Sequence, residues 1–477
     1  MSSMNKNLIT DLISIIGKKN VSDNIYERIS YGQDAVGTDL DPEKIPVAVV
    51  KPSTVQEVSE VVKYANKEKI PIYINGSGTA FKGSPRPKRQ GSILLSMRGL
   101  TSIEMHEEDL YLEVGAGVNQ YKLEKYLLSQ GYLLPMNVGS KYAGTIGGAV
   151  AINTIGHMVD ICLGKLIDYV MGVTVVLPNG EIIETGTKSI RRPAGIDYTR
   201  FFVGMEGTFG VITKIRMRLL QNFSKAYVIG FFPELTDIAH AFMKLYKDKL
   251  PPPLYGELLD REACIAPFRL RGLGAPKGNM ALVTTIGHTQ EEANRRAEDI
   301  LRVFKIEGAI EARVPTSDKE QKDYWESRDN ISNIIQTPEG EEKLLSSGAL
   351  EASVPLSHLA DMIDYIRMGH SYNALYEAKL FIYGHVGTCD LHGLWVTPAS
   401  WPLEKRMQCR KEATLLESEV NLKWGCASGE VGQTAARIPF LRERYGEAAY
   451  SMLMNIKKAI DPNNILNPGN LEGEGYV

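Results

Sequence analysis

A glycine-rich stretch from Gly139 to Gly156 constrains the fold of this 477-residue chain more than any other feature. It sets five glycines among small and β-branched residues with almost no charge. Because glycine lacks a Cβ, such a backbone can come very close to a ligand, and successive N–H groups in a glycine turn attract phosphate oxygens. The loops Asn75–Thr79 and Gly204–Gly210 have the same character. We interpret the three loops as the cradle of one large phosphate-bearing cofactor.

Composition limits the protein class. A chain of this length predicts two or more domains. A net charge of -3 without a Lys/Arg run argues against nucleic-acid binding. No apolar run is long enough to span a bilayer, and Leu8–Gly17, interrupted by Asp11, favours an amphipathic helix over a signal peptide. The five cysteines are scattered without Cys-x-x-Cys spacing, so an iron–sulfur ligand set is not indicated and a reducing cytoplasm is expected.

The first loop lies in a predicted β-α-β unit. A short apolar run at Pro46–Lys51 is followed by Thr54 and Glu57 at capping-box spacing, and then by a helical pattern. A second strand, Ile70–Asn75, ends in the loop Gly76–Thr79, at the strand end where open α/β sheets usually bind ligands. The loop is neither Gly-x-Gly-x-x-Gly before a helix nor Gly-Lys-Ser/Thr, which excludes the dinucleotide fingerprint and the P-loop.

Further elements follow in the same half, and the pattern then changes. We predict strands at Ser92–Ser96 and Leu110–Val114, a helix at Asn119–Gln130, and a hairpin from Val170 to Glu184 that turns at Asn179-Gly180. From about Phe223 onward, strands and helices alternate without glycine loops. This pattern predicts an α+β cap laid over the cofactor.

Five spaced motifs carry a family resemblance: Pro46–Thr54, Gly76–Thr79, Thr145–Gly148, Val175–Gly180 and Gly204–Thr213. In this order they resemble the FAD-binding domain of the vanillyl-alcohol oxidase and p-cresol methylhydroxylase superfamily. The whole chain is most similar to the branch of glycolate oxidase FAD-subunits and D-lactate dehydrogenases. The resemblance implies an α+β protein, with a two-subdomain FAD-binding domain of the p-cresol methylhydroxylase type and an α+β cap with a large antiparallel sheet. We expect an FAD-binding domain at 1–222, a cap at 223–424 and a returning C-terminal segment at 425–477.

The resemblance also implies FAD, with its pyrophosphate on Gly76–Thr79 and Thr145–Gly148. Relatives often attach the flavin through a histidine in the first loop, which has none here, so non-covalent FAD is expected. We interpret the later His157 as a loop histidine hydrogen-bonded to backbone. The cofactor-binding residues implied by the resemblance are Asn75, Gly76, Ser77, Gly78, Thr79, Gly139, Ser140, Thr145, Gly147, Gly148, Asn153, Glu206, Gly207, Gly210, Val211, Ile212 and Asn467.

Two histidines in the cap suggest a metal site. If Thr388 and Cys389 form a two-residue turn, His385 and His392 lie directly opposite on paired strands, with Cβ atoms about 4.5–5.5 Å apart. A looser loop is also possible, because Thr-Cys is a poor hairpin turn. Glu430, between two glycines, could be a third ligand, and two histidines with a carboxylate suit Zn or Fe(II). Two loop histidines unrelated to a metal remain an alternative.

The resemblance assigns roles to these residues. They are similar to the metal ligands of D-2-hydroxyacid dehydrogenases, where the ion holds the substrate beside the flavin, and Arg328 aligns with the arginine that binds the substrate carboxylate. Val431 replaces the family histidine that helps remove the hydroxyl proton, so the base would be a metal-linked hydroxide, Tyr383 or another cap residue. A family lysine is Ala349 here, which disfavours a second substrate carboxylate, and the C-terminal lysine is Asn470.

Three functions remain open at this stage. The first is oxidation of a 2-hydroxy acid such as D-lactate or glycolate by hydride transfer to flavin N5. Electrons would pass to an iron–sulfur subunit, an electron-transfer flavoprotein or a quinone. The second is oxidation of a benzylic or phenolic alcohol, and the third is a catalytically altered FAD-binding subunit. A homo-oligomer is compatible with each of them.

Overall fold

The computed structural model describes residues 3–34, 41–80, 83–154, 156–158, 160–189, 191, 195–329, 331, 343–371, 373–426 and 437–474. Within them the chain forms three main sheets and a short two-stranded ribbon. None of the helices in these ranges is long and apolar enough to cross a membrane.

The first sheet has four strands in the order β1-β2-β4-β3. Its strands are β1 (Val21–Ser22), β2 (Ala48–Val50), β3 (Ile72–Asn75) and β4 (Ile93–Ser96). Helices α1 (Ser3–Ile16), α2 (Ile25–Tyr31) and α3 (Val55–Glu68) accompany it. The predicted β-α-β unit is confirmed, with β4 lying between β2 and β3 and parallel to both. Thr54 caps α3 by accepting a hydrogen bond from the N–H of Glu57.

The second sheet has five strands in the order β5-β6-β10-β8-β9. They are β5 (Ile103–His106), β6 (Tyr111–Gly115), β8 (Val170–Val176), β9 (Ile182–Glu184) and β10 (Val211–Arg218), and the ribbon pairs β7 (Tyr132–Leu133) with β11 (Leu220–Gln221). Its helices are α4 (Gln120–Ser129), α5 (Ile146–Ile152), α6 (Asp160–Leu163), α7 (Leu166–Tyr169) and α8 (Tyr198–Phe202). The predicted hairpin is confirmed as β8 and β9, which turn at a left-handed Gly180.

The third sheet has seven antiparallel strands in the order β15-β12-β14-β13-β17-β18-β16. They are β12 (Ser224–Phe232), β13 (Tyr255–Leu259), β14 (Asn279–Gly287), β15 (Glu311–Arg313), β16 (Leu344–Ser353), β17 (Lys379–His385) and β18 (Asp390–Pro398). Its helices are α9 (Leu235–Lys247), α10 (Arg261–Arg271), α11 (Gln290–Ile306), α12 (Asp318–Asp329), α13 (Leu359–Ser371) and α14 (Leu403–Lys423). The expected α+β cap with a large antiparallel sheet is confirmed.

The described C-terminal segment returns to the first two sheets. It contains helices α15 (Ile438–Tyr445) and α16 (Glu447–Ile460). Leu466 forms a parallel bridge with Ile72 of β3, and Ile465 and Leu466 are buried in the core of the first sheet. We call the first two sheets with residues 438–474 the cradle half, and residues 224–426 the cap half. The sequence-based domain limits 1–222, 223–424 and 425–477 stay predictions.

Candidate active site

Strands β13, β17 and β18 direct a polar row to one face of the cap sheet. Leu258 pairs with Gly384, which sets Glu257 opposite His385, and Tyr383 pairs with His392. Because paired residues and alternate residues of a strand share a face, all four side chains point the same way. The opposite face belongs to the main apolar core of the cap, and the face of the polar row carries a smaller apolar cluster that includes Tyr383.

The predicted register of the two histidines is wrong. His385 pairs with Asp390 and His392 pairs with Tyr383, so the two imidazoles are diagonal neighbours. The strands are joined by a four-residue connection, one 3-10 turn followed by Cys389 at φ 59°. Thr-Cys therefore does not form a two-residue turn. The two rings still lie close, with centroids 5.1 Å apart and perpendicular planes.

His157 approaches this row from the cradle half. Its backbone N–H donates to the Asn137 carbonyl, and Met158 forms a bridge with Tyr255 of β13. The buried imidazole places Nδ1 3.2 Å from Oε1 of Glu257, and its ring lies 5.0 Å from that of His385. The interpretation of the His157 side chain as hydrogen-bonded to backbone is wrong, since its partner is a carboxylate of the other half.

Glu257 is the centre of the cluster. Its side chain is 0% exposed, and Oε1 lies 2.7 Å from Nδ1 of His385, while Oε2 accepts a 2.7 Å hydrogen bond from Nε of Arg328. Burial alone would raise the pKa of the Glu257 carboxyl, but Arg328 and the two imidazoles outweigh it and hold that pKa well below its usual range. The carboxylate is therefore ionised and shared by three donors.

Arg328 and Asp329 end helix α12 beside this carboxylate. The Arg328 guanidinium is buried and lies 5.2 Å from the centre of the Tyr383 ring. Its pair with Glu257 is thus buried within the cap half and is not a surface ion pair. Oδ1 of Asp329 is 3.8 Å from Nε2 of His157 and accepts no hydrogen bond from the described residues. A Cβ added at Gly139 would lie 3.1 Å from the Asp329 carbonyl oxygen, so the glycine stretch reaches this site.

The described donor atoms fit a metal ion. Two groups of three offer one ligand atom each, all within 4.8 Å: His385, Asp390 and His392, and His157, Glu257 and His385. Both groups combine two imidazoles with a carboxylate, the set that suits Zn or Fe(II). Glu430, the predicted third ligand, and Val431 lie outside the described residues.

The predicted cofactor loops converge at the carboxyl end of β3. The first and second loops touch, since a Cβ at Gly76 would lie 2.3 Å from Oγ1 of Thr145. Only glycine allows this approach. Thr145 caps α5 by accepting from the N–H of Gly148 at 3.3 Å, and Arg98 donates to the carbonyls of Gly76 and Ser77.

The third loop and the C-terminal segment complete the same cradle. The N–H of Glu206 donates to the carbonyl of Ala151 in α5. Asn467 donates to the Glu206 carbonyl at 2.6 Å and accepts from the N–H of Ile74 at 2.9 Å. Gly207 packs against the Ile74 side chain at φ 72°, a conformation that favours glycine. The sequence-based expectation that three loops form one cradle therefore holds in space.

Two buried amide oxygens in the cradle lack a hydrogen-bond donor among the described residues. Oδ1 of Asn75, at the end of β3, and Oδ1 of Asn153, at the end of α5, accept no hydrogen bond within the described part of the chain. The hydroxyl and amino groups of a flavin nucleotide can supply the missing donors. The other predicted cofactor residues lie in the first loop, in the 3-10 turn after Val138, in α5, and in or just before β10: Ser77, Gly78, Thr79, Ser140, Gly147, Gly210, Val211 and Ile212.

Sequence reasoning missed Glu257 and misjudged His157. A signal existed for Glu257, because it is the one charged residue in the apolar run Leu254–Leu259, and a buried carboxylate needs partners. His157 gave no such signal, since its partner lies 100 positions along the chain.

Comparison with known proteins finds two family matches along the chain. Residues 46–186 match the FAD binding domain family, and residues 222–471 match the C-terminal domain family of FAD linked oxidases. The glycolate oxidase subunit GlcD of Bacillus subtilis is 28% identical, over 98% of this chain and 97% of its own. The D-lactate dehydrogenase of Archaeoglobus fulgidus is 30% identical, over 88% of this chain and 90% of its own.

Solved structures share the fold. The 4-ethylphenol oxidase of Gulosibacter chungangensis superposes with a TM-score of 0.79 at 18% identity, covering 99% of this chain and 98% of its own. Substrate-bound p-cresol methylhydroxylase superposes with a TM-score of 0.76 at 18% identity, covering 99% and 97%. The predicted p-cresol methylhydroxylase type of FAD-binding fold is confirmed.

Proposed function

Because the chain belongs to the FAD-linked oxidase family, we propose that it is a dehydrogenase for a 2-hydroxy acid such as D-lactate or glycolate. The observation that carries the proposal is the buried cluster of Arg328, Glu257 and His385, which faces the cradle half and is joined by His157. When bound, FAD supplies the hydride acceptor, its N5 atom, and the cradle favours non-covalent binding because Asn75–Thr79 contains no histidine.

Arg328 is the residue we assign to the substrate carboxylate. Its Nε is held by Glu257, which orients the planar guanidinium and leaves its terminal nitrogens to bind the acid by paired, charge-assisted hydrogen bonds. Tyr383 lies against the guanidinium and limits its movement. This arrangement would direct the hydroxyl-bearing carbon of the substrate toward the imidazoles.

A metal ion fits the negative charge of the site. Three carboxylates lie near the imidazoles, those of Glu257, Asp329 and Asp390, so a cation would help an anionic substrate to enter. We propose Zn or Fe(II), held by His385, His392 and Glu430, with Asp390 as a further carboxylate within reach of both histidines. A bound ion would acidify the substrate hydroxyl, as it acidifies bound water. With Val431 unable to accept a proton, we assign that role to the imidazole cluster or Tyr383.

The chain needs an external electron acceptor. Its five cysteines are free thiols, and the sequence shows no ligand set for a second redox centre. We propose an iron–sulfur subunit, an electron-transfer flavoprotein or a quinone, and a cytoplasmic location in which free thiols persist.

One observation favours a second candidate, a benzylic or phenolic alcohol. The charge of Arg328 is already paired with Glu257, and aromatic rings stand near the site, with Tyr255 and Trp325 5.6 Å apart and Tyr383 beside His392. A neutral aromatic alcohol would not require an unpaired cation. Such a protein would function without the metal ion.

Anaerobic titration of the flavin tests the proposal. D- and L-2-hydroxy acids and benzylic alcohols are added to the oxidised holoprotein, flavin absorbance is followed, and metal content is measured. We expect one enantiomer of a short 2-hydroxy acid to bleach the flavin, and Arg328→Lys to lower kcat/KM about 10- to 100-fold. The matched control is Arg271→Lys, because the partner of Arg271, Glu326, lies on the same helix as Arg328. This substitution should change kcat/KM little.

The remaining outcomes are distinct. Bleaching by an aromatic alcohol alone would establish the second candidate. A flavin that stays oxidised with every compound would indicate an FAD-binding subunit without this chemistry.

A further inference from the structure

We infer that Glu257 is a positioning residue that fixes His157 and His385 in the same tautomer, with the proton on Nδ1 and the lone pair on Nε2. The inference deepens the proposed function and rests on it for its catalytic consequence. It identifies one carboxylate of the cap half as the group that orients imidazoles from both halves of the protein.

The hydrogen bonds between Glu257 and the two imidazoles determine where each ring carries its proton. An ionised carboxylate can only accept hydrogen bonds. Oε1 of Glu257 lies 2.7 Å from Nδ1 of His385 and 3.2 Å from Nδ1 of His157, both within hydrogen-bond distance. Each neutral imidazole must therefore carry its proton on Nδ1 in order to donate. The tautomer of each ring follows from the nature of its partner.

The second step concerns the state of the carboxylate. Glu257 is completely buried, and a buried carboxyl without partners would be neutral and could donate. Arg328 prevents this by donating from Nε to Oε2 at 2.7 Å. A guanidinium always carries a positive charge, and this buried hydrogen bond pairs that charge with the negative charge of the Glu257 carboxylate. Glu257 therefore remains an acceptor for both rings.

The third step concerns orientation. The rings of His157 and His385 are perpendicular, with centroids 5.0 Å apart, so they approach the same oxygen from different directions. The Arg328 hydrogen bond occupies the other oxygen and prevents the carboxylate from rotating. Strand pairing fixes Glu257 opposite His385, and the Met158–Tyr255 bridge fixes the backbone next to His157. The two rings are thus held by backbone structure as well as by the shared carboxylate.

The consequence is that Nε2 is the atom that each ring presents to a metal ion or to a substrate hydroxyl. A carboxylate behind a metal-ligating histidine sets its tautomer and raises its basicity. Glu257 would therefore set the tautomer of one imidazole in the cradle half and of one in the cap half. Loss of Glu257 should disturb both rings together, although they belong to different halves.

Nitrogen NMR on the full-length holoprotein measures the tautomers directly. Histidine is labelled with ¹⁵N, and long-range proton–nitrogen correlations are recorded at about pH 8, above the ordinary histidine pKa. The chain has eight histidines, so the two signals are assigned from their loss in His157→Gln and His385→Gln. We expect Nδ1–H for both rings. A proton on Nε2 of either ring, or on both nitrogens, would overturn the inference.

Two variants test the role of the carboxylate. In Glu257→Gln the side-chain amide can donate, so we expect at least one ring to change tautomer and Mn²⁺, used as the probe, to bind about 10- to 100-fold more weakly. Glu262→Gln, an exposed position on neighbouring α10, should leave the tautomers and Mn²⁺ affinity unchanged. Unchanged tautomers in Glu257→Gln would contradict the positioning role.

The test remains decisive if Glu257→Gln fails to fold, because the wild-type spectrum alone can refute the inference. A metal ion held directly between Glu257 and the two Nδ1 atoms would remove both Nδ1 protons, which is also a refuting result. The spectrum requires no hydroxy acid. A protein whose flavin resists every hydroxy acid but shows two Nδ1–H rings would therefore fail the proposed function and retain the inference.

Discussion

The two halves of the molecule bury positive charge in different ways. In the cradle half, Lys457 donates to the carbonyls of Thr208 and Leu466 and to Asp461, while Lys88 donates to the carbonyl of Gly83 and to Asn470. In the cap half, carboxylates form ion pairs with buried arginines. Arg328 binds Glu257, and Arg437 binds Glu351 and Glu417.

The difference reflects what each half has to hold. A lysine is a compact charge with three donors that can join several backbone carbonyls, so it suits the task of fastening the C-terminal segment to the glycine loops. A planar arginine orients carboxylates, and two carboxylates held in this way lie near the histidines. Glu257 faces His385, and Glu351 pairs with His392. In the cradle half, buried lysines thus hold backbone segments together. In the cap half, buried arginines position carboxylate side chains.

The largest expected effect comes from removing Arg437, the buried arginine that binds two carboxylates of the cap half. Arg437→Met would leave Glu351 and Glu417 without their shared cation, and breaking a buried ion pair typically costs about 3–5 kcal/mol. Urea unfolding should show a loss of this size. Arg302→Met is the matched control because its pair with Asp299 is exposed, and its effect should stay within about 0.5 kcal/mol. Equal losses of unfolding free energy in the two variants would contradict the stabilising role of the buried arginine.

A pH experiment tests the cradle side. Burial lowers the pKa of the Lys88 ammonium from its ordinary 10.5 to about 8, although Glu206 opposes this shift. Between these values the unfolded chain binds a proton at Lys88 that the folded protein has lost, so the free energy of unfolding should rise with pH. The expected rise is about 3 kcal/mol relative to Lys88→Met.

The control for that experiment is Lys319→Met, at a lysine whose side chain is 82% exposed. Its stability curve should run parallel to that of the wild type from about pH 8 to 10.5. A Lys88→Met curve that also ran parallel would show that Lys88 titrates normally and is not held in the buried state.

A smaller effect is expected from crowding the cradle. Gly76→Ala would place a methyl group against Oγ1 of Thr145 and push the two cofactor loops apart. Overpacking of this kind costs about 1–3 kcal/mol, so FAD should bind about tenfold more weakly or worse. Gly131→Ala adds the same methyl group where no atom lies within 4 Å; its φ of 83° should lower stability, but FAD affinity should stay unchanged. Unchanged FAD affinity in Gly76→Ala would show that flavin binding does not depend on the close contact between these two loops.

Much of the cradle half could be predicted from local sequence. The apolar run before Asn75, the cap at Thr54 and the turn at Gly180 are each determined by neighbouring residues, and the structure confirms all three. Positions where the backbone can approach a ligand closely can also be identified from the sequence, because they are glycines. The convergence of the three loops was expected from the glycine-rich character that they share.

The cap site was harder to predict because its geometry depends on distant pairings. Glu257 meets Arg328 and His385 only after three strands and a helix have packed, 71 and 128 positions away along the chain. The register of His385 and His392 depends on Cys389, a non-glycine residue in the left-handed conformation. The two-residue turn is wrong, and the looser loop that the poor turn chemistry of Thr-Cys left open is the one observed.

We expect one FAD to lie between the glycine cradle and the histidine face of the cap sheet. A crystal structure of the holoprotein with a non-reacting 2-hydroxy acid analogue tests it most directly. We expect the pyrophosphate at Gly76–Thr79 and Thr145–Gly148, the analogue carboxylate on Arg328, and the hydroxyl-bearing carbon about 3–3.5 Å from flavin N5. A flavin ring remote from His157 and His385, or an analogue bound away from Arg328, would contradict the account.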